Sequence, residues 1–200
     1  MTSTEARERA ALEIAYCESV LAKSSLNVLL KTLPAEGLVT WKHYPERDVY
    51  DAASGAQWYY HCHEDSAELG EHGHFHCFVR PDGRDSAPCH LIAVGVDAKG
   101  RPTRLFTVNQ WVVGGEWYDA AATNGLLDRF NVELAEPDYL VNRWLTATLT
   151  RYEDEIVALN LARDARLEAL GRPAAEVFAD RSIEVLSELR LPVAAQQQRS

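Results

Sequence analysis

The chain has 200 residues, 46% of them hydrophobic, with five Trp, eight Tyr and five Phe. That is enough to fold around one core without disulfide staples and too apolar for a disordered chain. Twenty Lys and Arg against thirty Asp and Glu give a formal charge of −10, and no basic run offsets it, which excludes a phosphate-tracking nucleic-acid binder.

The polar N-terminus from Met1 to Arg9 lacks the basic and apolar regions of a signal peptide, and no segment is apolar for long enough to span a membrane. A cytoplasmic protein with no membrane partner is expected. Cys17, Cys62, Cys77 and Cys89 form no C-x-x-C pair and are read as reduced, small buried residues. From Thr4 to Leu33 the apolar residues Leu12, Tyr16, Val20, Leu26, Leu29, Leu30 and Leu33 return at three- and four-residue steps, the helical period. Ser24-Ser25 marks a break within that run, because serine competes for backbone hydrogen bonds. Val39 to Ser54 has no clear period and reads as an ordered loop with room for one short strand.

Gln57–His63 and His72–Arg80 alternate about a polar connection and predict a hairpin. His90–Val96 and Thr103–Val113 form a second pair around the Gly and Pro of Asp97–Pro102, with a short strand at Glu116-Trp117-Tyr118. Helical spacing returns at Leu126–Leu134. It returns again in a long helix capped by Asp138 and closed by Gly171 and Pro173, and in a last helix from Ala174 to Leu191. Strands grouped between helices predict an α+β domain with a single central antiparallel sheet of four to six strands flanked by N- and C-terminal helices. Residues 1–192 are taken as one metal-binding domain, with helices at 1–34, the sheet at 39–118 and helices at 124–191. Residues 193–200 are taken as a disordered tail.

Five of the seven histidines fall between His61 and His76. Side chains alternate faces along a strand, so His61 and His63 share a side with Tyr59, and His72, His74 and His76 share a side of the next strand. The symmetric hairpin register opposes His61 to His74 and His63 to His72. A slip of two residues opposes His61 to His76 and His63 to His74. Opposed Cβ atoms lie about 4.5–5.5 Å apart, within reach of one ion. A transition metal is the agent that best organises five imidazoles, with iron the first choice and Zn, Cu, Mn or Ni as alternatives. His61, His63, His74 and His76 are the preferred ligands and His72 the fifth. Glu68, Glu71 and Glu116 are the candidate carboxylates; Glu116 is preferred because a strand end holds it more rigidly than a polar loop would. Tyr59 is placed to donate a proton or hydrogen bond at the site. His43 and His90 stand apart and are read as core or surface residues.

Three resemblances add to this. Gly55, His61-x-His63, Glu68 and Gly73 resemble the first cupin motif, which implies the two histidines and the glutamate as metal ligands; the glycine comes early and no second cupin motif follows. His72-Gly73-His74-Phe75-His76-Cys77-Phe78 resembles the histidine-triad nucleotide-binding signature, which implies metal-free nucleotide hydrolysis or transfer with His74 as nucleophile, although Gly73 replaces a hydrophobic residue. Over most of the chain, Tyr44-Pro45, Asp48-Val49-Tyr50-Asp51, Tyr59-Tyr60-His61-x-His63, His72-Gly73-His74-Phe75-His76, His90-Leu91-Ile92-Ala93 and Leu105-Phe106-Thr107-x-Asn109-x-Trp111-Val112 look like a bacterial family with a domain of unknown function. That likeness implies that Asn109, Trp111, Glu116 and Trp117 join the histidines in one site. The expectation is a metal-dependent oxidoreductase, a non-haem iron oxygenase or related redox or lyase enzyme acting on a small metabolite, with the histidines on one face of the sheet beneath the flanking helices. The alternative is a non-enzymatic metal sensor or chaperone. The apolar helices are expected to pack on the sheet or on a second copy in a homodimer.

Overall fold

The computed structural model describes residues 3–35, 37–63 and 70–192. The loop that carries Glu68 and the expected tail at 193–200 lie outside the described residues. Six strands, β1 (Tyr44–Tyr50), β2 (Ala56–His61), β3 (Gly73–Val79), β4 (Cys89–Val96), β5 (Pro102–Val108) and β6 (Val185–Arg190), form one sheet in the order β1-β2-β3-β4-β5-β6. Every neighbouring pair is antiparallel. Helices α1 (Ser3–Ala22), α2 (Val28–Thr32), α3 (Gln110–Val113), α4 (Ala120–Asn124), α5 (Tyr139–Arg151), α6 (Glu153–Ala169) and α7 (Ala174–Ala179) complete an α+β fold. Among the described residues no helix is long and apolar enough to cross a membrane.

The first helical run breaks where the two serines stand, with Ser25 at φ 56°, and Asn27 caps α2 by accepting from the Leu30 N–H at 2.9 Å. The buried side of α1 is Ala10, Cys17 and Leu21, whereas Leu12 and Tyr16 are exposed. Small residues let α1 lie close to α5, where Glu18 accepts from Trp144 Nε1 at 3.0 Å and Glu13 from Arg143 at 2.8 Å. Asp138 caps α5 through the Leu140 and Val141 N–H groups, satisfying donors that a helix start leaves open. The single long helix expected after it is two, α5 and α6, parted at Tyr152.

Several expected elements differ. The segment read as a loop with one short strand contains β1, paired to β2 across an irregular register. The second hairpin ends at Val108, because Asn109 turns the chain and caps α3 by accepting from the Gln110 N–H at 2.8 Å. Residues 116–118 are not a strand, and only a 3₁₀ turn, Leu127–Arg129, forms in the predicted helix at Leu126–Leu134.

The expected helix from Ala174 to Leu191 is α7 followed by β6. Asp180 ends α7 by binding Arg172 at 2.7 Å and the Ser182 N–H at 3.1 Å. The open edge of β5 then takes Val185–Arg190 as a partner strand, since an unpaired edge leaves a row of donors and acceptors unmet. Phe178, Val185, Leu186 and Leu189 fit a helical spacing over so few residues that the period could not decide.

The main core lies on one face of the sheet, where Trp58, Tyr60, Phe75, Ile92, Val94 and Leu105 pack with Trp144, Leu145, Leu149 and Ile156 of α5 and α6. His61, His74 and His76 occupy the opposite face. The expectation that the flanking helices roof them is therefore corrected: α5 and α6 pack their apolar sides on the other face, and the histidine side is covered by loops, aromatics and the short α3, with Arg163 and Arg166 reaching round from α6.

Candidate metal centre

β2 and β3 adopt the symmetric register, with His61 opposite His74 and Tyr59 opposite His76. Both strands are buried along their whole length, so the histidine face is an interior and not a wet surface. His61, His74 and His76 each offer one nitrogen, and these atoms lie within 4.8 Å of one another. His61 Nε2 is 2.7 Å from His74 Nε2 and 3.2 Å from His63 Nε2. Ligands held at about 2.0–2.1 Å from one ion are themselves roughly 3 Å apart, so the two short contacts of His61 Nε2 match a shared centre, and the trio, spread over up to 4.8 Å, would tighten around an ion.

Burial keeps the group neutral. It pushes His61 down to about 3, helped by the neighbouring His63 and His43 imidazoles. His74 and His76 are driven well below the usual histidine range by burial, and then by the His61 and His63 rings at His74 and by the His74 and His90 rings at His76. Neutral imidazole is the form that offers a lone pair to a metal.

One nitrogen stands out: His76 Nε2 is buried with no hydrogen-bond partner among the described residues, while His76 Nδ1 meets His90 Nε2 at 3.0 Å. A buried polar nitrogen without a partner is costly. If Nδ1 carries the proton and donates to His90, Nε2 is left with its lone pair directed away from that bond. This is how a partner behind a histidine fixes its tautomer for metal binding.

Two histidines read as ordinary thus belong here. β4 bulges at Leu91, so that Phe78 pairs with His90 and Cys77 with Ile92; this one-residue irregularity moves His90 to the histidine face. Burial and then the Arg163 charge depress His90 to about 3. His43 stacks on Tyr59 with ring centroids 3.6 Å apart, and its Nδ1 lies 3.1 Å from Asp48. Trp41 stacks on His63 at 4.0 Å. Tyr59 packs against His61 and His76, as its parity required, and burial raises its hydroxyl above the ordinary tyrosine range.

His72 and Glu116 are not brought to the trio. β3 starts only at Gly73, and His72, ahead of it, turns to Tyr60 on the helix-packed face, with Nδ1 2.6 Å from the hydroxyl. Gly73 is what permits this, because a Cβ there would strike the Tyr60 ring. Glu116 is exposed and lines a narrow cleft with His90, Trp117 and Arg163. Among the described residues, Asp48 lies beside His43, and Glu184 brings a carboxylate to the edge of the cluster, 3.8 Å from His63 Nδ1. Nothing local in the sequence marked it, since it arrives on the approach to β6.

Asn109, Trp111 and Trp117 do not line the trio either. Asn109 is fully buried and donates to the Val177 and Ile183 carbonyls at 2.8 and 3.0 Å. Trp111 donates to the Ile183 carbonyl at 2.8 Å, and Trp117 packs on Phe178. Because the Asn109 N–H also bonds the Glu184 carbonyl at 2.8 Å, this group fixes the segment that delivers Glu184.

A pocket of about 390 Å³ opens beside the cluster, lined by His63, His74, Glu71, Arg104, Phe106, Glu184 and others from β6 and α6. Arg104 is buried and bound by Glu71 through two contacts of 2.7 and 3.1 Å. Gly95, opposite His74, leaves room for that carboxylate; a Cβ there would come within 2.5 Å of Glu71 Oε1.

The fold and site thus define an α+β protein with one meandering antiparallel sheet and a buried three-histidine group that could hold a metal ion. The chain belongs to a family described as a domain of unknown function (DUF6969), whose model matches residues 8–191. Comparison with curated proteins gave no match, and comparison with solved structures gave none.

Proposed function

We propose that this protein is a metalloenzyme, a non-haem iron oxygenase or a related redox or lyase enzyme, acting on a small metabolite. The observation that carries the reading is the buried trio of neutral histidines in which His76 Nε2 has no hydrogen-bond partner among the described residues. Three imidazoles suit iron, zinc, copper or nickel. A bound ferrous ion would supply Lewis acidity and open positions for exchangeable ligands.

The chain's own residues do the rest. His61, His74 and His76 provide the nitrogens, and His90 holds the proton side of His76 away from the centre. Tyr59, Phe78 and Phe106 pack around the His74 and His76 imidazoles and shield them from water, while the largely exposed Trp41 covers His63. The adjoining pocket favours an enzyme over a sensor, because catalysis needs enclosed substrate space beside an incompletely saturated centre, whereas a storage or sensing site is closed by protein ligands or lies exposed.

Protein purified without an affinity tag, loaded anaerobically with ferrous iron and exposed to nitric oxide, tests both halves. The expected result is a high-spin iron–nitrosyl electron-paramagnetic-resonance signal accounting for the bound iron. Full iron loading with no nitrosyl signal would mean a saturated centre and would favour the sensor or chaperone. Failure to load iron, zinc, copper, nickel or manganese would overturn the metal reading itself.

A further inference from the structure

The pocket beside the histidines has a chemistry that the metal centre does not explain. Three guanidinium groups, Arg104, Arg166 and Arg190, converge on a space of about 390 Å³ in a chain whose formal charge is −10. Arg104 and Arg190 face each other directly across β5 and β6, an opposition of like charges that is unfavourable unless anions lie between or beside them.

Among the described residues three carboxylates share the pocket with these arginines, and Glu71 feels the charge of both Arg104 and Arg190. Glu71 takes Arg104 through two contacts, Glu188 takes Arg104 Nη1 at 2.9 Å, and Glu184 lies 3.8 Å from His63 Nδ1. Arg166 reaches the pocket from α6, with one nitrogen on the Leu186 carbonyl at 3.4 Å. The floor is fixed: the Arg104 guanidinium lies 4.0 Å over the Phe106 ring, and Phe106 meets His74 edge-on at 5.1 Å.

We propose that this pocket binds a small molecule bearing a carboxylate, held at the mouth by Arg166 and Arg190 above Arg104, with the remainder of the molecule directed toward His63 and His74. The inference rests on the metal reading of the adjoining cluster and names the substrate class for it. Charge balance argues for an anion. Among the described residues the three arginines and three glutamates of the pocket cancel, so a divalent ion on neutral histidines adds positive charge that the trio itself does not offset. The same glutamates disfavour a phosphate dianion, which would meet three negative groups where a carboxylate brings a single charge. Guanidinium groups pair with carboxylates in a planar, two-contact geometry that gives orientation as well as affinity.

The test is titration calorimetry on the full chain loaded with zinc, using benzoate and butyrate as probes and benzamide and butyramide as neutral controls. Both carboxylates are expected to bind at least about tenfold more tightly than their amides. The Arg166→Gln/Arg190→Gln double variant, which spares the buried Arg104, is expected to lose at least about tenfold for the carboxylates. Its zinc content and amide binding are expected to stay unchanged. Unaltered carboxylate affinity in that variant, absence of carboxylate binding to fully zinc-loaded wild type, or tighter binding of inorganic phosphate than of both probes would each overturn the inference. If wild type takes up no zinc, the metal reading fails separately: carboxylate binding by the metal-free chain, weakened by the same double variant, would still support the pocket, and its absence would overturn it too.

Discussion

On the helix-packed face of the sheet, Trp58, Phe75, Ile92 and Leu105 meet Trp144 and Leu145; on the opposite face of the same strands, His61, His74 and His76 are buried among Tyr59, Phe78 and Phe106. The first set gains from burial in proportion to apolar area. The second contains nitrogens that burial holds in a neutral form and, at His76, leaves without a hydrogen-bond partner among the described residues. The contrast teaches that one face supplies stability and the other is maintained for binding, at some cost in metal-free stability.

Substitutions on the two faces should therefore separate stability from metal binding. The largest effect is expected from Phe75→Ala, which empties a fully buried aromatic site on the helix-packed face and should cost about 3–5 kcal/mol in urea unfolding. The metal bound per folded chain should stay the same. A loss of metal affinity as large as the loss of stability would show that the two faces are not separable.

Acid should act on the opposite face. His61 and His90 resist protonation down to about 3 in the fold, against 6.5 for an ordinary histidine. Between those values the unfolded chain binds more protons, so stability falls as the pH drops below 6.5. At pH 5 each of the two should contribute a loss of about 2 kcal/mol. Metal-free protein followed by thermal unfolding across that range checks this; a flat profile would mean that the histidines are solvated.

His90→Gln should weaken metal binding by about tenfold to a hundredfold, the usual consequence of removing a group that orients a ligand histidine. It should leave the helix-packed face unaffected, as judged by near-ultraviolet signals of the tryptophans. The smallest effect belongs to the supporting layer. Asp138→Ala removes the cap of α5 and should cost about 1 kcal/mol with no change in metal affinity.

The hairpin was readable from the sequence because two alternating strands about one polar connection have few registers that keep the histidines together. The pairing of His61 with His74 follows from that parity. The limits are equally physical. Parity applies only inside a strand, and His72 lies one residue before β3, so it turns to the other face. His90 escaped because the bulge at Leu91 reverses the alternation of β4. Glu184, Arg104 and Arg190 come to the site through β5–β6 pairing, a contact between segments some eighty residues apart, for which periodicity carries no signal. Glu116 sat at an expected strand end that forms no strand.

The most direct test is anaerobic metal titration with elemental analysis of untagged wild type against the His61→Ala/His74→Ala double variant, both checked for folding by circular dichroism. Stoichiometric metal in wild type and its loss from a folded double variant is the predicted result. Substoichiometric metal that is unchanged in the variant would contradict the claim that this histidine face is a metal centre.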